Sequence, residues 1–313
     1  MTPAPPLVIL AGATATGKTG LSIRLAEEIR DHGLPVEIIS ADSRQVYRGL
    51  DIGTAKVPPG DRAGVPHHGL DLVDPDEPFS VADFVDHARA ALADLGRRGG
   101  IAILAGGTGL YLRAIRQGLA VDALPSDPAA RAQARSILHN DGVAGAVARL
   151  RELAPGLAGR IDLANPRRVE RSLEIALLRG DQPLPSPTGY PGPVAALGLS
   201  VEPAIHRTWI ANRARAQFES GLLDEADALR RRFDPTLPAF SAIGYREAWA
   251  VLDGALTVDA AIELDAGRNF AFARRQRTWF RSEPEIVWLD ATNADPLPAA
   301  LDRVRPIALG SST

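Results

Sequence analysis

The sequence predicts an α/β fold in which helices flank a parallel sheet. The apolar run 7–11 leads through a glycine-rich segment into a stretch with helical periodicity, the strand–loop–helix order of a phosphate-binding loop. Short apolar runs recur at 36–40, 101–105 and 194–199 and alternate with helical patterns, as in βαβ units. Between the last two runs only helical patterns occur. We therefore expect a P-loop NTPase-like parallel sheet flanked by helices, with an all-helical insertion domain.

The predicted domain boundaries follow from these patterns. Residues 1–122 should form the first part of the core, 123–190 the helical insertion, and 191–313 the remainder of the core with basic C-terminal helices. At 313 residues and 45% apolar composition, the chain can bury one large core with a smaller appendage.

The glycine-rich segment fits the phosphate-loop pattern G-x-x-x-x-G-K-[ST] at every fixed position. Its residues are Gly12, Ala13, Thr14, Ala15, Thr16, Gly17, Lys18 and Thr19. The glycines let backbone N–H groups turn onto phosphate oxygens, and the following helix N-terminus adds a partial positive charge. We expect Lys18 to bind a di- or triphosphate, as in nucleotide-binding and ATP-binding proteins, and the Thr19 hydroxyl to ligate Mg²⁺.

Lysine is nearly absent from the chain. Of 35 basic residues only Lys18 and Lys56 are lysines. A guanidinium cannot replace a compact ammonium that must reach between phosphate oxygens, so both lysines are candidate functional residues. For Lys56, a chance surface lysine remains the alternative.

Composition and charge exclude several classes of protein. The chain has no cysteine, so neither disulfides nor thiolate metal sites are possible. No apolar run approaches the roughly 18 residues of a membrane span, and no signal-peptide pattern opens the sequence, so we expect a soluble cytoplasmic protein. The net charge of -3 leaves only local patches for contact with nucleic acid. No pattern indicates an obligate interface, and we expect a monomer.

Asp42 follows the second predicted strand, where the carboxyl ends of parallel strands face the ligand. A carboxylate there can take a proton from a nucleophile or order the water shell of Mg²⁺. A helix N-cap or an Asx turn is the alternative, because Asp followed by Ser is common in both.

The segment 51–68 lacks clear periodicity and predicts a long loop that is functional or mobile. His67 and His68 within it are adjacent and have no carboxylate framework around them. Hydrogen bonding to a substrate is therefore favoured over metal ligation.

The third apolar run ends in Gly106 and Gly107, followed by Thr108. The acid that orders Mg²⁺ and water in motor-type P-loop ATPases is missing there, which argues against an energy-transducing ATPase. The two glycines allow either close approach to a ligand, to which Thr108 offers a hydroxyl, or only a tight strand-to-helix turn.

Two arginine-rich helical segments are candidate RNA contacts. Arg167, Arg168 and Arg171 crowd the start of a predicted helix in the insertion, as either a solvated face or a phosphate-contact patch. In the helix predicted at 258–280, arginines alternate with aromatic residues and no acid follows residue 266, which suits a ribose-phosphate backbone and a splayed base. An amphipathic core helix with a charged outer face remains the alternative there.

These segments, taken in order, resemble the tRNA dimethylallyltransferases. They are the phosphate loop and residues 42–47, 53–56, 106–111, 241–245 and 274–279. The resemblance runs from about residue 7 to residue 289. It implies transfer of a dimethylallyl group from dimethylallyl diphosphate to N6 of adenosine-37 in the tRNA anticodon stem-loop.

The resemblance also assigns roles to individual residues. It makes Asp42 the general base on N6, places Thr19 and Thr108 beside the donor and the reacting base, and gives the diphosphate and Mg²⁺ to the phosphate loop. The residues that it places against tRNA are Asp42, Ser43, Arg44, Gln45, Thr108, Arg131, Arg167, Arg168, Arg171, Ser241, Ala242, Ile243, Gly244 and Tyr245. The chain departs from the family pattern at Ala13 and Thr16, and at Arg44, where many relatives have an apolar residue.

Three other functions fit parts of the sequence. A P-loop small-molecule kinase would share the loop and the acid after the second strand, but would usually have an arginine-bearing lid instead of a basic aromatic helix. A non-catalytic RNA-binding module would leave the phosphate loop without a purpose. A prenyltransferase acting on free adenine nucleotides would not need the long helical insertion.

Overall fold

The structure is a computed structural model and describes residues 3–308. Within this range the strands are β1 (Leu7–Gly12), β2 (Val36–Ser40), β3 (His67–His68), β4 (Ile101–Gly106), β5 (Val194–Ser200) and β6 (Val287–Asp290). The helices are α1 (Lys18–Asp31), α2 (Val81–Arg97), α3 (Gly109–Arg116), α4 (Pro128–Leu153), α5 (Pro155–Ala158), α6 (Pro166–Arg179), α7 (Pro203–Glu219), α8 (Leu222–Arg230), α9 (Tyr245–Leu252), α10 (Val258–Phe280) and α11 (Leu297–Ala308). No helix among these residues has both the length and the apolar character needed to cross a bilayer.

All six strands belong to one parallel sheet with the order β3-β2-β4-β1-β5-β6. The predicted α/β class with a P-loop NTPase-like sheet is confirmed. Because the strands are parallel and β2, β4 and β1 are neighbours, the loops that follow these three strands emerge side by side at the same edge. Those loops carry Asp42, Thr108 and the phosphate loop.

The four apolar runs that predicted strands correspond to β1, β2, β4 and β5, and β1 and β4 are buried along their whole length. Ser80 with Asp83 three residues later is a pattern that predicts a helix start. α2 begins there with a capping box, in which Oδ2 of Asp83 accepts from the Ser80 N–H at 2.7 Å. Patterning did not predict β3, α3 or α11. β3 has only two residues, both histidines, which is too short for a period-two pattern.

Two apolar clusters build the sheet-containing part of the molecule. In the first, Leu21, Leu25 and Ile29 of α1 pack against strand residues and against α11, as their four-residue spacing predicts. The second cluster joins the segment after β2 to α7, α8, α9 and α10, with Tyr245 and Phe240 at 0% and 1% exposure. The C-terminal helices therefore pack directly against the loop that carries Asp42.

The chain divides into two compact units, one formed by Gly118–Thr188 and the other by the residues before and after it. The predicted insertion was 123–190. The smaller unit contains α4, α5 and α6 around an apolar cluster that includes Leu150, Val169 and Leu173. α4 is interrupted at Gly142, whose φ of 66° lies in the left-handed region that favours glycine, so it consists of two helical halves joined at a kink.

Candidate active site

Three side chains from distant helices hold the phosphate loop at Thr14. The Thr14 N–H donates to Oε1 of Gln276 at 2.8 Å, and the Thr14 carbonyl oxygen lies 2.8 Å from Nε2 of His206. The Thr14 hydroxyl accepts a hydrogen bond from Nη1 of Arg213 at 2.7 Å. The backbone donor, the backbone acceptor and the hydroxyl of Thr14 are therefore all engaged within the protein, and these contacts tie the loop to α7 and α10.

The remainder of the loop has the geometry of an anion site. Gly17, with φ of 87°, precedes the first turn of α1, and Ala15 also has a positive φ of 58°. Positive φ is costly for alanine and is accepted where the surrounding structure requires it. The first N–H groups of α1 have no intrahelical partner, so they can donate to phosphate oxygens together with the positive end of the helix dipole.

Lys18 is surrounded by groups that change its charge state. Its pKa is lowered to about 7, first by burial and then by the positive charge of Arg213, while the carboxylate of Asp42 opposes both effects. Its Nζ donates to the carbonyl oxygen of Ala13 at 2.5 Å. The negative charge of an entering diphosphate would compensate the positive charges of this ammonium and of the neighbouring guanidinium.

On the other side of the site, the turns after β2 and β4 are joined to each other. The Thr108 hydroxyl accepts from the Ser43 N–H at 3.0 Å, and the Thr108 N–H donates to the Ala41 carbonyl at 3.1 Å. Oδ1 of Asp42 accepts from the Arg44 N–H at 2.8 Å, which is an Asx turn. The Asx turn that the sequence analysis gave as an alternative role for Asp42 is therefore present. This turn engages Oδ1 and leaves Oδ2 available for a substrate.

The phosphate loop, Asp42 and Arg213 line one cavity of about 400 Å³. Its polar wall includes the phosphate loop from Thr14 to Thr19, together with Asp42 and Arg213, and apolar groups such as Ile38, Val57 and Leu70 also line it. A cavity with convergent charged groups at one part and apolar side chains at another suits a ligand with a diphosphate and a hydrocarbon tail.

Gln45 and Lys56 form walls of this cavity, and their polar groups are engaged within the protein. Oε1 of Gln45 accepts from the Ser40 hydroxyl at 2.9 Å, and its Nε2 donates to the Thr54 carbonyl at 3.1 Å. The side chain of Lys56 is 4% exposed, and its Nζ donates to Asp51 at 2.6 Å and Asp71 at 2.5 Å. Lys56 is thus not a surface lysine; it fixes the loop 51–56 against the segment at Asp71.

Other parts of the protein pack against Gly106 and Gly107 too closely to leave space for a side chain. A Cβ at Gly106 would lie 2.1 Å from the Ala41 carbonyl oxygen, and one at Gly107 would lie 2.3 Å from Nε2 of Gln276. The tight strand-to-helix turn that was one of the two interpretations is present, and both glycines also line the cavity, where a ligand could approach them. The Thr108 hydroxyl that this turn presents lies beside Asp42.

Arg44 and the segment 241–245 meet near the mouth of the site. Nη1 of Arg44 donates to the Pro238 carbonyl at 3.0 Å, and the exposed Ser241 hydroxyl donates to the same carbonyl at 2.7 Å. Ala242 and Tyr245 are buried, and the Tyr245 hydroxyl donates to Glu225 at 2.8 Å. These two residues support the segment from inside, whereas Ser241 is the exposed member.

Gly244 and Ile243 connect that segment to α9. Gly244 has φ of 108°, and a Cβ there would lie 3.0 Å from Oδ2 of Asp265 and 3.2 Å from Leu222. Ile243 is half-buried. The glycine is therefore required both for backbone conformation and for space.

In the smaller unit, the four candidate arginines fall into two kinds. Arg131 and Arg171 lie 3.4 Å and 2.8 Å from Oε2 of Glu174, whose side chain is 2% exposed. Arg167 and Arg168 are exposed at the start of α6, where only their backbone N–H groups bond to the cap residue Asn165. The second pair is the better placed for contact with a phosphate backbone.

Aromatic rings of α10 are approached by arginines from α10 itself and from the neighbouring helices α3 and α7. The guanidinium carbon of Arg275 lies 5.6 Å from the ring centre of Phe272, and that of Arg113 lies 4.4 Å from the ring centre of Trp279. The ring of Phe270 is approached by Arg207 at 4.0 Å. Arg268 bonds Glu247 and is not part of this row. The face therefore combines cations and flat apolar surfaces, the composition expected of an RNA contact.

The Thr19 hydroxyl is a side-chain oxygen suited to Mg²⁺. Thr19 is exposed in the first turn of α1, and no group within residues 3–308 bonds to its hydroxyl. A hard oxygen donor at this place fits a Mg²⁺ whose remaining ligands are diphosphate oxygens and water. In the described part of the chain, no cluster of three or more His, Asp or Glu side chains could hold a metal, and His67 and His68 bond Val65 and Glu37 instead.

Sequence patterns did not identify Arg213, His206 or Gln276 as site residues. All three bond to Thr14, which lies 192 to 262 positions away from them in the sequence. No local spacing could therefore reveal these contacts. Gln276 lies within the segment 274–279 that carries the resemblance, and that was the only signal. His206 is 1% exposed, which is unusual for a histidine on an outer helix.

Comparison with known proteins identifies the family to which the chain is similar. The model of the IPP transferase family matches residues 45–283. The curated tRNA dimethylallyltransferase of Roseiflexus sp. (strain RS-1) is 43% identical over 295 residues, covering 93% of this chain and 94% of that protein. That of Methylococcus capsulatus is 42% identical, covering 91% and 92%.

Solved structures agree with these sequence matches. The tRNA isopentenylpyrophosphate transferase of Bacillus halodurans is 36% identical with a TM-score of 0.70, covering 97% of this chain and 96% of that one. A eukaryotic dimethylallyltransferase, described as acting on tRNA, is 25% identical with a TM-score of 0.73, covering 98% and 77%.

The fold and the cavity define a phosphate-loop α/β protein whose site combines an anion cradle with a carboxylate. The chain belongs to the IPP transferase family, whose curated members are named tRNA dimethylallyltransferases, and it is an enzyme of the prenyltransferase class.

Proposed function

We propose that this enzyme transfers a dimethylallyl group from dimethylallyl diphosphate to N6 of adenosine-37 in the anticodon stem-loop of tRNA. The observation that carries the proposal is the presence in one cavity of the phosphate loop, Lys18 and Arg213 opposite the Asp42 carboxylate. The names of the relatives support the substrate pair. As expected from the sequence, we propose a cytoplasmic enzyme that acts as a monomer.

The donor end of the site is proposed to bind the diphosphate. The free N–H groups at the start of α1, the Lys18 ammonium and the Arg213 guanidinium would contact its oxygens. Thr19 would hold Mg²⁺, which supplies positive charge to the leaving diphosphate oxygens. These groups are in place before the reaction, so little reorganisation is needed as negative charge builds on the leaving group.

At the acceptor end, Asp42 is proposed as the general base. In the reaction the C–O bond between the allylic carbon and diphosphate breaks, and a bond forms between that carbon and N6. The N6 proton passes to Oδ2 of Asp42, and the diphosphate leaves with the electron pair of the broken bond. The Asx turn and the bond between Ser43 and Thr108 support this role by fixing the carboxylate and the turn beside it.

N6 of a stacked adenosine is not accessible to the half-buried Asp42 carboxylate, which lines a cavity, so the base must leave the stack. We propose that the arginine–aromatic face of α10 and the exposed Arg167 and Arg168 bind the stem-loop. Ser43, Arg44 and Ser241 at the mouth would then contact the flipped nucleotide. Gln45 would shape the pocket without donating directly, because its amide is already bonded.

The substitution Asp42→Asn tests the proposed base. We expect kcat for prenyl transfer to fall on the order of 10²–10⁴-fold, because the amide cannot accept the N6 proton. Affinities for the stem-loop and for inorganic diphosphate should stay within about twofold, since the Asx acceptor oxygen is retained. Asp74→Asn, at an exposed carboxylate that pairs with Arg48, is the matched control. An Asp42→Asn enzyme with undiminished kcat would refute the role.

A further inference from the structure

Gln276 is the side chain that connects the two halves of the site. It lies on α10 with 7% exposure, and both ends of its amide are bonded to backbone. Oε1 accepts from the Thr14 N–H at 2.8 Å, and Nε2 donates to the Gly107 carbonyl at 2.9 Å. One amide therefore fixes the spacing between the phosphate loop after β1 and the turn after β4.

The turn after β4 leads directly to the acceptor side. Gly107 precedes Thr108, whose hydroxyl accepts from Ser43 beside Asp42. The close approach of the Gln276 amide is possible only because Gly107 has no Cβ, since a Cβ would lie 2.3 Å from Nε2. A change at Gln276 therefore affects the phosphate loop through one hydrogen bond and the turn after β4 through the other.

The neighbours of Gln276 on α10 point outward. Arg274 and Arg275 are exposed, Arg275 lies over the ring of Phe272, and Arg113 of α3 lies over the ring of Trp279. Trp279 packs against Gly109, one residue beyond Thr108. The helix that carries the proposed RNA face therefore also holds both loops of the catalytic cavity.

We propose that Gln276 is a positioning residue that couples RNA binding to donor binding. This inference rests on the proposed function. RNA on the outer face of α10 fixes the helix, and Gln276 then holds the phosphate loop and the Thr108 turn in their reactive spacing. By thermodynamic linkage, the diphosphate must strengthen RNA binding by the same factor.

The test is a binding cycle with inorganic diphosphate and Mg²⁺ as the probe, because this ligand cannot react. Its affinity is measured by titration calorimetry with and without an unmodified anticodon stem-loop. We expect the RNA to strengthen diphosphate binding by roughly 5- to 50-fold in the wild-type enzyme. In Gln276→Met, which keeps the side-chain length but removes both bonds, the factor should fall to within about twofold of one.

Two further variants separate coupling from folding. Gly107→Ala leaves Gln276 in the chain but displaces its amide, and should lose the coupling as Gln276→Met does. Thr278→Ala, at an exposed residue that bonds only within α10, should keep it. Partial unfolding lowers the fraction of protein that binds, but it does not change a ratio of two affinities measured on the folded fraction.

The outcomes are distinct. The inference is overturned if the coupling of the wild type is retained in both Gln276→Met and Gly107→Ala. It is also overturned if the wild-type enzyme transfers the prenyl group but shows no coupling. Either result leaves the proposed function standing. Failure of the wild-type enzyme to prenylate the stem-loop overturns the proposed function, and with it the premise of this inference.

Discussion

At the residue scale, Arg213 has the largest role that no sequence pattern indicated. Its guanidinium donates to the Thr14 hydroxyl, burial lowers its pKa, and the carboxylates of Asp42 and Asp265 oppose that effect. It also lowers the pKa of Lys18. A cation held so close to a second cation is poised for an anionic ligand.

Arg213→Gln should weaken binding of inorganic diphosphate roughly 10- to 100-fold, the equivalent of one charge-assisted hydrogen bond. Stem-loop affinity should change by less than about twofold, because the proposed RNA face of α10 is untouched. Titration calorimetry with each ligand measures both. Arg215→Gln, an exposed arginine on the same helix, is the control. Equal losses in the two variants would contradict a specific role for Arg213.

Asp265 makes stability depend on pH. It is 1% exposed, and burial raises its pKa to about 6, with Glu247 adding to the rise while Asn269, Arg213 and Arg268 oppose it. The folded-state pKa lies above the unfolded value of 3.8, so the folded protein binds more protons between these values. Its contribution to stability is therefore fully present below pH 3.8 and is lost as pH rises through about 6.

Asp265→Asn removes this titration. Between pH 4.5 and 7.5, the free energy of unfolding of the wild type should fall by about 2 kcal/mol relative to the variant. Chemical denaturation at the two pH values measures the difference. Glu263→Gln, at an exposed position on the same helix, should show no such pH-dependent difference. A wild-type enzyme that gains stability relative to Asp265→Asn as pH rises would contradict the account.

At the element scale, α3 and α10 meet without space for a side chain at Gly109. A Cβ there would lie 2.1 Å from Nε1 of Trp279, an atom of a rigid ring that is also stacked by Arg113. The packing of these two helices therefore sets the position of Thr108, which directly precedes α3.

Gly109→Ala should shift the start of α3, destabilise the fold by about 1–3 kcal/mol and lower kcat for prenyl transfer. Gly267→Ala is the control, because nothing lies within 4 Å of a Cβ there and the change should stabilise α10 by up to about 1 kcal/mol. Thermal unfolding and steady-state kinetics measure the pair. A fully active, equally stable Gly109→Ala would show that the helices can separate at no cost.

Within the smaller unit, Glu174 holds the start of α4 to α6. Its buried carboxylate accepts from the Ser126 hydroxyl at 3.1 Å and lies beside Arg131 and Arg171. Glu174→Gln should destabilise this unit on the order of 3 kcal/mol, because two arginines lose their anion. Hydrogen exchange in α4 and α6 measures the change, and Glu152→Gln, at an exposed pair with Arg149, should leave exchange unaltered.

Sequence patterns predicted the elements whose signals are local. The phosphate loop, the capping box at Ser80 and the arginines of α10 could all be read within one strand–turn–helix or one helical face. β3 could not, because two histidines carry no periodicity. The burial of Lys56 also could not be foreseen, because its partner Asp71 lies on a different loop. Bonds from Arg213 and Gln276 to Thr14 depend on the tertiary packing of α7 and α10.

At the scale of the whole molecule, strand order explains why the site exists. β2, β4 and β1 are neighbours in the sheet, so their loops bring Asp42, Thr108 and the phosphate loop to one edge. Helices from the C-terminal half then close the site through Arg213, His206 and Gln276. Residues of the N-terminal part of the chain that form the site are thus held in place by helices from its C-terminal half.

The most direct test of the central claim is the mass of the product. Purified enzyme, Mg²⁺ and dimethylallyl diphosphate are mixed with an unmodified stem-loop bearing adenosine-37, with the same RNA bearing guanosine there, and with AMP. We predict a gain of one five-carbon prenyl unit on the adenosine-37 RNA alone. A gain on AMP alone, or no gain anywhere together with phosphate transfer from ATP, would contradict the account.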